Sequence, residues 1–433
     1  MNVHRKPAVW TRTLAGFLAI LLMMSMFGTL AATAAEEGQS ASAGGSFTLG
    51  GAVAAAILID AATGQVLYEQ NADAPRPPAS MTKLMTEYIV LERITKGQMN
   101  WTDVVATSKE AASTPPDGSQ IYLAEGDEHT VKDLYIAMAV GSANDATIAL
   151  ASHIGGSEAG FVSMMNETAQ SLGLETAHFT GATGLQDDTV ISARDLAKFS
   201  AIILRDHPEF LEYSAMQNYK FRERDKNPMV NWNWMLGSNK SVTNFKQYAY
   251  EGVDGMKTGY ISAAGYCFTG TAKRGDMRLI SVVMGTESQG ARFLETAKLF
   301  DYGFNNFETK TIVAPKSVVE SVQTVKLKKG VETEVPVVTD QDVTFLVKKG
   351  VEPKIEVVET VVTPEKELIA PIAKAQKVGT VTYAYTDENG KELKKTVNLI
   401  TSEEVKKAGW FKLMLRSIGS FFKGLFNGIV DLF

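Results

Sequence analysis

The chain has a single cysteine, Cys267, so no intrachain disulfide is possible and the fold must rest on an apolar core. Its five histidines, at 4, 129, 153, 178 and 207, show no His-x-x-x-His or similar ligand spacing. That argues against a zinc enzyme, and no metal or other cofactor is expected. There is no basic surplus: Lys and Arg total 43 against 49 Asp and Glu, which argues against a nucleic-acid-binding role. From residue 307 to 401 there is no His, Cys or Trp, and no pattern in that stretch suggests chemistry. The C-terminal segment Trp410 to Phe433 has no apolar run longer than Leu413 to Leu415. It is therefore unable to span a bilayer, which takes about 20 apolar residues.

What is present at the two ends points to export. Arg5, Lys6 and Arg12 precede an uncharged, mostly apolar stretch from Leu14 to Leu30, followed by the small residues Ala31-Ala32-Thr33-Ala34-Ala35. This is the layout of a cleaved signal peptide over residues 1–35. Residues 36–46, rich in Gly, Ser and Ala, read as a flexible leader. At the other end, Trp410, Phe411, Met414, Leu415, Ile418, Phe421, Phe422 and Leu425 recur at three- and four-residue steps, with Lys412, Arg416 and Lys423 opposite. A basic, aromatic-rich amphipathic helix over 408–433 is expected to lie in a membrane interface. The protein would then sit peripherally on the outer face of the cytoplasmic membrane.

Between the ends, 433 residues with 45% apolar content suffice for more than one domain. The first, 47–306, opens with a hairpin of Ala52 to Ile59 and Gln65 to Tyr68 joined through Gly64. Amphipathic patterns predict helices after Ser80 and over 131–140, 145–153, 158–172, 192–204 and 291–304. Strands are expected over 266–271 and 277–284. Helices flanked by strands at both ends of the region imply an α+β domain, an antiparallel sheet covered by helices. In 307–405 valine alternates with Lys, Glu and Thr, and Asp387-Glu388-Asn389-Gly390 marks a turn, as in a small β-sandwich-like domain. That domain serves either as a spacer or as a binding module.

Three short motifs stand in order: Ser80-Met81-Thr82-Lys83, Ser142-Ala143-Asn144 and Lys257-Thr258-Gly259. Residues three apart at a helix start face the same side, so Lys83, if buried, is placed to take the proton of Ser80. An isolated Ser-x-x-Lys is ordinarily a capping serine beside a solvated lysine. The trio, at a helix start, an inter-helix loop and a strand, is the acyl-transfer set of penicillin-binding proteins and class A β-lactamases. In such a set Ser80 attacks an acyl carbonyl, Ser142 relays a proton and Asn144 bonds the acyl side chain. Lys257 and Thr258 meet a carboxylate, and the strand after Gly259 shares an oxyanion hole with the Ser80 amide.

The sequence resembles the low-molecular-weight penicillin-binding proteins, serine-type D-alanyl-D-alanine carboxypeptidases, of the penicillin-binding protein 5 type seen in Bacillus-like bacteria. The likeness rests on the three motifs, on Asn231-Trp-Asn-Trp-Met-Leu236 and Val253-Asp-Gly-Met-Lys257, and on the order of the domains. It implies removal of the terminal D-alanine from peptidoglycan stems ending in D-Ala-D-Ala, through an acyl-enzyme on Ser80, with β-lactams as covalent inhibitors. By matching position, Ser80, Lys83 and Ser142 are catalytic, while Asn144, Lys257, Thr258 and Gly259 bind substrate. Arg292 matches an arginine near the substrate carboxylate, although an arginine at a helix start is ordinarily a surface charge. Gly181 stands where many members carry Asn, which bears on one rim of the site. Cys267 reads as a buried small side chain. Two alternatives share the motifs, a β-lactamase and a catalytically silent penicillin-binding sensor. No Glu-x-x-Leu-Asn stretch follows Ser142-Ala143-Asn144 to supply the first with a deacylating glutamate.

Overall fold

The computed structural model describes residues 47–387 and 390–430. The expected export signal and leader lie outside the described residues, as do Glu388, Asn389 and residues 431–433. The first domain is built on the expected hairpin, β1 (Ala55–Asp60) and β2 (Val66–Gln70). Its turn is held by the Asp60 carboxylate, which accepts from the Thr63 amide at 2.9 Å and the Thr63 hydroxyl at 2.6 Å. Three further strands, β3 (Val253–Ile261), β4 (Gly265–Arg274) and β5 (Met277–Thr286), complete a sheet of order β2-β1-β5-β4-β3. Every neighbouring pair is antiparallel. Strand β3 forms one edge.

Strand β1 is buried along its whole length, the mark of a strand covered on both faces. Ile57 and Ile59 point into a helical body that includes Leu84, Leu134 and Phe199. Leu58 points the other way, towards helix α6 (Gln289–Asn306). The helix comes close there because Gly303 has no side chain: a Cβ would stand 2.5 Å from Leu279 Cδ1 and 3.0 Å from Leu58 Cδ2. Each such buried aliphatic side chain contributes about 1.5–3 kcal/mol.

The helical body consists of α1 (Lys83–Thr95), α2 (Val131–Gly141), α3 (Asn144–Gly155), α4 (Glu158–Ser171) and α5 (Ala193–Asp206). Hydroxyl caps start several of them. Thr130 Oγ1 accepts from the Asp133 amide at 3.1 Å, Ser157 Oγ from Gly160 at 3.0 Å and Ser192 Oγ from Asp195 at 3.1 Å. Ser80 is not on the first turn of α1 as expected. It lies in a preceding 3-10 turn, Ala79–Thr82, and Lys83 is the first α-helical residue. The chain arrives through Pro77 and Pro78, and Ala79 sits at φ +50°, so the entry turn closes more tightly than an α-turn.

After α6 the chain passes into β6 (Phe307–Val313), β7 (Thr324–Lys326), β8 (Glu334–Thr339), β9 (Val343–Lys348), β10 (Ile355–Val362), β11 (Lys377–Thr386) and β12 (Glu392–Thr401). Strands β7-β8-β12-β11-β10 form one sheet and β6-β9 a separate pair. Val337, Phe345, Val381, Val397 and Leu399 belong to a core of their own. At the β11–β12 turn the Asp387 carboxylate accepts from the Lys391 amide at 2.9 Å. The chain thus joins an α+β domain to an all-β one.

Helix α7 (Trp410–Val430) closes the chain. Its Trp410, Phe411, Leu415, Phe421 and Phe422 side chains are exposed. Arg416 points elsewhere: its guanidinium donates to the carbonyls of Gly330 and Val331, each at 2.7 Å, which ties the helix to the β domain. No described helix is long and apolar enough to cross a membrane.

Candidate active site

The three motifs converge on one cleft of about 550 Å³, lined by Ser80, Ser142, Asn144, Thr258, Gly259 and Arg292 among others. A larger cavity, about 920 Å³, is lined by Ile57, Val66, Arg194 and Lys391 and contains none of the motif residues. Volume alone would misplace the site; the chemistry selects the smaller cleft.

Two glycines allow the parts to meet. Gly259, on the edge strand β3, passes so near the Ser80 turn that a Cβ would lie 2.5 Å from the Pro78 carbonyl oxygen and 3.2 Å from the Met81 nitrogen. Gly184, in the loop between α4 and α5, is at φ +78°, and a Cβ there would lie 1.9 Å from the Ala79 carbonyl oxygen. The Ser80 turn is thus gripped from two sides by backbone. The second motif is also held in an uncommon conformation: Ser142 ends α2 in the left-handed region, at φ 58° and ψ 30°. That conformation is uncommon for a residue with a side chain and clusters at functional sites.

Lys83 is fully buried. Its Nζ is 3.1 Å from Ser80 Oγ, 2.7 Å from Asn144 Oδ1 and 2.8 Å from the Thr183 carbonyl oxygen. Burial, followed by the nearby charge of Lys257, holds its pKa well below the ordinary lysine value. A neutral amine has two N–H groups and one lone pair. Asn144 Oδ1 and the Thr183 carbonyl take the two N–H groups, which leaves the lone pair for the Ser80 hydroxyl. The arrangement suits a general base.

Lys257 is also buried, on β3, and donates to Ser142 Oγ at 2.9 Å and to the Thr258 carbonyl at 3.3 Å. The direct partner of Ser142 is therefore Lys257, while that of Lys83 is Asn144. Sequence reasoning aimed Asn144 at the substrate; its oxygen is spent on Lys83, and its Nδ2 lies against Gly118. Arg292 is not a surface charge. It is 3% exposed, and its Nη1 donates to the carbonyls of Gly259 at 3.1 Å and Cys267 at 3.3 Å. Burial pulls its pKa down to about 10. Cys267 is fully buried on β4, and burial pushes its thiol up to about 11, so it sits as a small core side chain.

Other residues complete the site: Asn231 and Trp232 belong to the Asn231-to-Leu236 motif, whereas Tyr260 and Tyr266 carry no sequence signal of their own. Asp145 is buried and accepts from the amides of Ile121 at 3.1 Å and Leu123 at 3.0 Å, which holds the loop forming one wall of the cleft. Trp232 stands at the rim and donates its indole N–H to the Gly141 carbonyl at 3.3 Å, beside Ser142. Buried Asn231 fixes that segment by donating to the carbonyls of Ser214 at 3.0 Å and Met216 at 2.8 Å. Tyr260 and Tyr266 stack at 4.2 Å on the same rim. Each of these depends on which loops meet at the cleft, and that is a tertiary fact.

The chain is similar to known proteins over most of its length. The family model described as D-alanyl-D-alanine carboxypeptidase matches residues 50–288, and the penicillin-binding protein 5 C-terminal domain matches 307–407. The D-alanyl-D-alanine carboxypeptidase DacF of Bacillus subtilis is 34% identical over 376 residues, covering 85% of this chain and 90% of its own. The crystal structure of penicillin-binding protein 5 from Haemophilus influenzae superposes with a TM-score of 0.65 at 33% identity, covering 84% of this chain and 100% of that one. Penicillin-binding protein D2 from Listeria monocytogenes, solved in its ampicillin-bound form, superposes with a TM-score of 0.52 at 34% identity, covering 60% of this chain and 100% of that one. The chain belongs to the D-alanyl-D-alanine carboxypeptidase family of penicillin-binding proteins, with the catalytic and C-terminal domains of the penicillin-binding protein 5 type.

Proposed function

We propose that the chain is a serine D-alanyl-D-alanine carboxypeptidase acting on peptidoglycan stem peptides, with Ser80 as nucleophile and Lys83 as its base. The observation that carries this is the buried Lys83 amine, 3.1 Å from Ser80 Oγ with both of its other directions filled by acceptors. Ser80 Oγ bonds to the carbonyl carbon of the penultimate D-alanine while Lys83 takes the hydroxyl proton. The oxygen charge that develops is met by the Ser80 amide and by the strand at Gly259. The C–N bond then breaks, and the departing amine of the terminal D-alanine receives, through Ser142, the proton that Lys83 took from Ser80, which leaves Lys83 a free amine again. Lys257, Thr258 and Arg292 face the substrate carboxylate. Water attacks the acyl-enzyme carbonyl, passing a proton to Lys83; the bond from that carbon to Ser80 Oγ breaks, and Lys83 returns the proton to Ser80 Oγ. A β-lactam follows the first half of this path and stays bound.

The test is direct. Purified protein incubated with a peptide ending in D-Ala-D-Ala is expected to release free D-alanine, and mass spectrometry after ampicillin treatment to show one adduct, on Ser80. Folded protein that released no D-alanine would overturn the assignment. Rapid turnover of the β-lactam with recovery of free enzyme would favour a β-lactamase instead.

The same proposal extends to place. The export signal over 1–35 and the exposed aromatic face of α7 support an enzyme delivered across the cytoplasmic membrane and held on its outer face. Because Arg416 is committed to the β-domain carbonyls, the exposed Trp410, Phe411, Phe421 and Phe422 are the groups free to enter lipid. Removing residues 410–433 is expected to leave activity on a soluble peptide unchanged and to abolish sedimentation with anionic vesicles. Loss of activity in the truncated protein would mean that α7 belongs to the catalytic fold.

A further inference from the structure

The loop between α4 and α5 carries the Thr183 carbonyl that accepts from Lys83, and its backbone is held at three consecutive places. The Ala182 amide donates to Glu158 Oε1 at 2.9 Å. The Ala182 carbonyl accepts from Thr86 Oγ1 at 3.1 Å. The Thr183 carbonyl accepts from Lys83 Nζ at 2.8 Å. Three successive peptide groups are thus each fixed by one side chain, and the next residue, Gly184, rests against the Ala79 carbonyl of the Ser80 turn. A few residues earlier Asn166 on α4 grips the same loop twice. Its Nδ2 donates to the Phe179 carbonyl at 2.8 Å, and its Oδ1 accepts from the Phe179 amide at 2.9 Å.

Two of the three consecutive holds come from α1, which buries Lys83, Thr86 and Glu87 near its start. The third comes from Glu158, the first residue of α4. An acid in the first turn of a helix is ordinarily explained by the helix dipole. Glu158 does more, because its carboxylate reaches an amide 24 residues along the chain. Among the described residues it is the acceptor for that amide. Gly181 and Gly184 flank Ala182 and Thr183, so the loop has little stiffness of its own. Without the acceptor the peptide group before Ala182 is free to turn, and the Thr183 carbonyl two peptides on turns with it. Lys83 would then lose one of the two acceptors that orient its amine, and the lone pair would no longer be directed at Ser80 Oγ.

We propose that Glu158 is a positioning residue for the general base: by accepting from the Ala182 amide it aims the Thr183 carbonyl at Lys83 Nζ, and so directs the amine lone pair at Ser80. The inference rests on the Ser80–Lys83 reading of the site. Glu158 does not line the cleft and touches neither nucleophile nor substrate. What it supplies is an acceptor in the right place, and a neutral acceptor of the same length serves equally.

The test is rapid-mixing acylation of the full chain by benzylpenicillin, which separates the Kd of the non-covalent complex from the rate constant for forming the bond to Ser80. Glu158→Ala is expected to lower the rate constant by about tenfold to a hundredfold and to leave Kd within about twofold. Glu158→Gln keeps an oxygen at the same reach and is expected to restore the rate constant to within about threefold of wild type. A residue that only stabilised α4 would move the melting temperature and leave the rate constant alone. A wild-type rate constant in Glu158→Ala would overturn the inference, as would a loss confined to Kd. So would a Glu158→Gln protein as slow as Glu158→Ala, since the charge would then be what matters. Should Glu158→Ala fail to fold, amide hydrogen exchange in the wild-type protein decides. The Ala182 amide is expected to be protected, and exchange at the rate of an open loop would overturn the inference. Failure of the wild-type protein to acylate at all would instead overturn the reading of the site.

Discussion

Ser80→Ala is expected to give no covalent adduct with any β-lactam and no measurable release of D-alanine, and Lys83→Ala is expected to come close to it. The alanine at 80 leaves no atom to carry the acyl group. The alanine at 83 leaves Ser80 with its proton and no base, because no other amine or carboxylate among the described residues hydrogen-bonds to Ser80 Oγ. General-base catalysis alone is worth about 10²–10⁴ in rate. A nucleophile and its base act as one unit, so the two losses do not add. The double variant is expected to match Ser80→Ala in both assays. The measurement is kcat/KM for D-alanine release together with intact-protein mass after ampicillin. A Lys83→Ala protein acylated within about tenfold of wild type would show that the proton leaves by another route.

Gly184→Ala is the second large effect. A methyl group there would lie 1.9 Å from the Ala79 carbonyl oxygen, 2.5 Å from its carbon and 2.6 Å from Thr82 Oγ1, at a backbone φ of +78°. The left-handed conformation costs a non-glycine residue about 1–2 kcal/mol, and relieving the overlap about 1–3 more. The group that must yield is the turn presenting Ser80, so the cost falls on activity as well as on stability. A displacement of about 1 Å at a reacting group costs on the order of 10²-fold in rate. The expected result is a melting temperature lower by roughly 6–10 °C, with kcat/KM reduced by about a hundredfold. Wild-type values for both would show that the loop yields and the turn does not depend on it.

Much of this was legible in sequence, for reasons that differ by element. The β1–β2 hairpin declared itself through local chemistry, an apolar run on each side of Asp60 and Gly64. Ser80 and Lys83 were readable because their relation is helical spacing, which a short segment determines alone. Ser142 and Lys257 could be assigned to one site from the motif set, but not to each other. Their 2.9 Å contact depends on how a loop after α2 meets an edge strand more than a hundred residues later. Asn144 was aimed at the substrate because its dependence on Lys83 shows only once α3 packs on α1. Arg292 was ambiguous for a similar reason: a cation at a helix start is ordinarily solvated, and its burial comes from β3 and β4 passing over it. Glu87 gave no signal at all. In sequence it is one more acid on an amphipathic helix, and only the fold shows that its side chain is buried.

The position of β3 has a consequence beyond catalysis. It is the edge of its sheet, and an uncovered edge strand offers its free backbone groups to any passing chain, the usual start of ordered self-association. Here the Ser80 turn lies against that edge at Gly259, close enough that a methyl group would not fit between them. The catalytic turn therefore braces the edge strand from one face. Substitutions that loosen it, Gly184→Ala among them, are expected to show themselves as lost solubility and growing light scattering at temperatures where the rest of the domain is still folded.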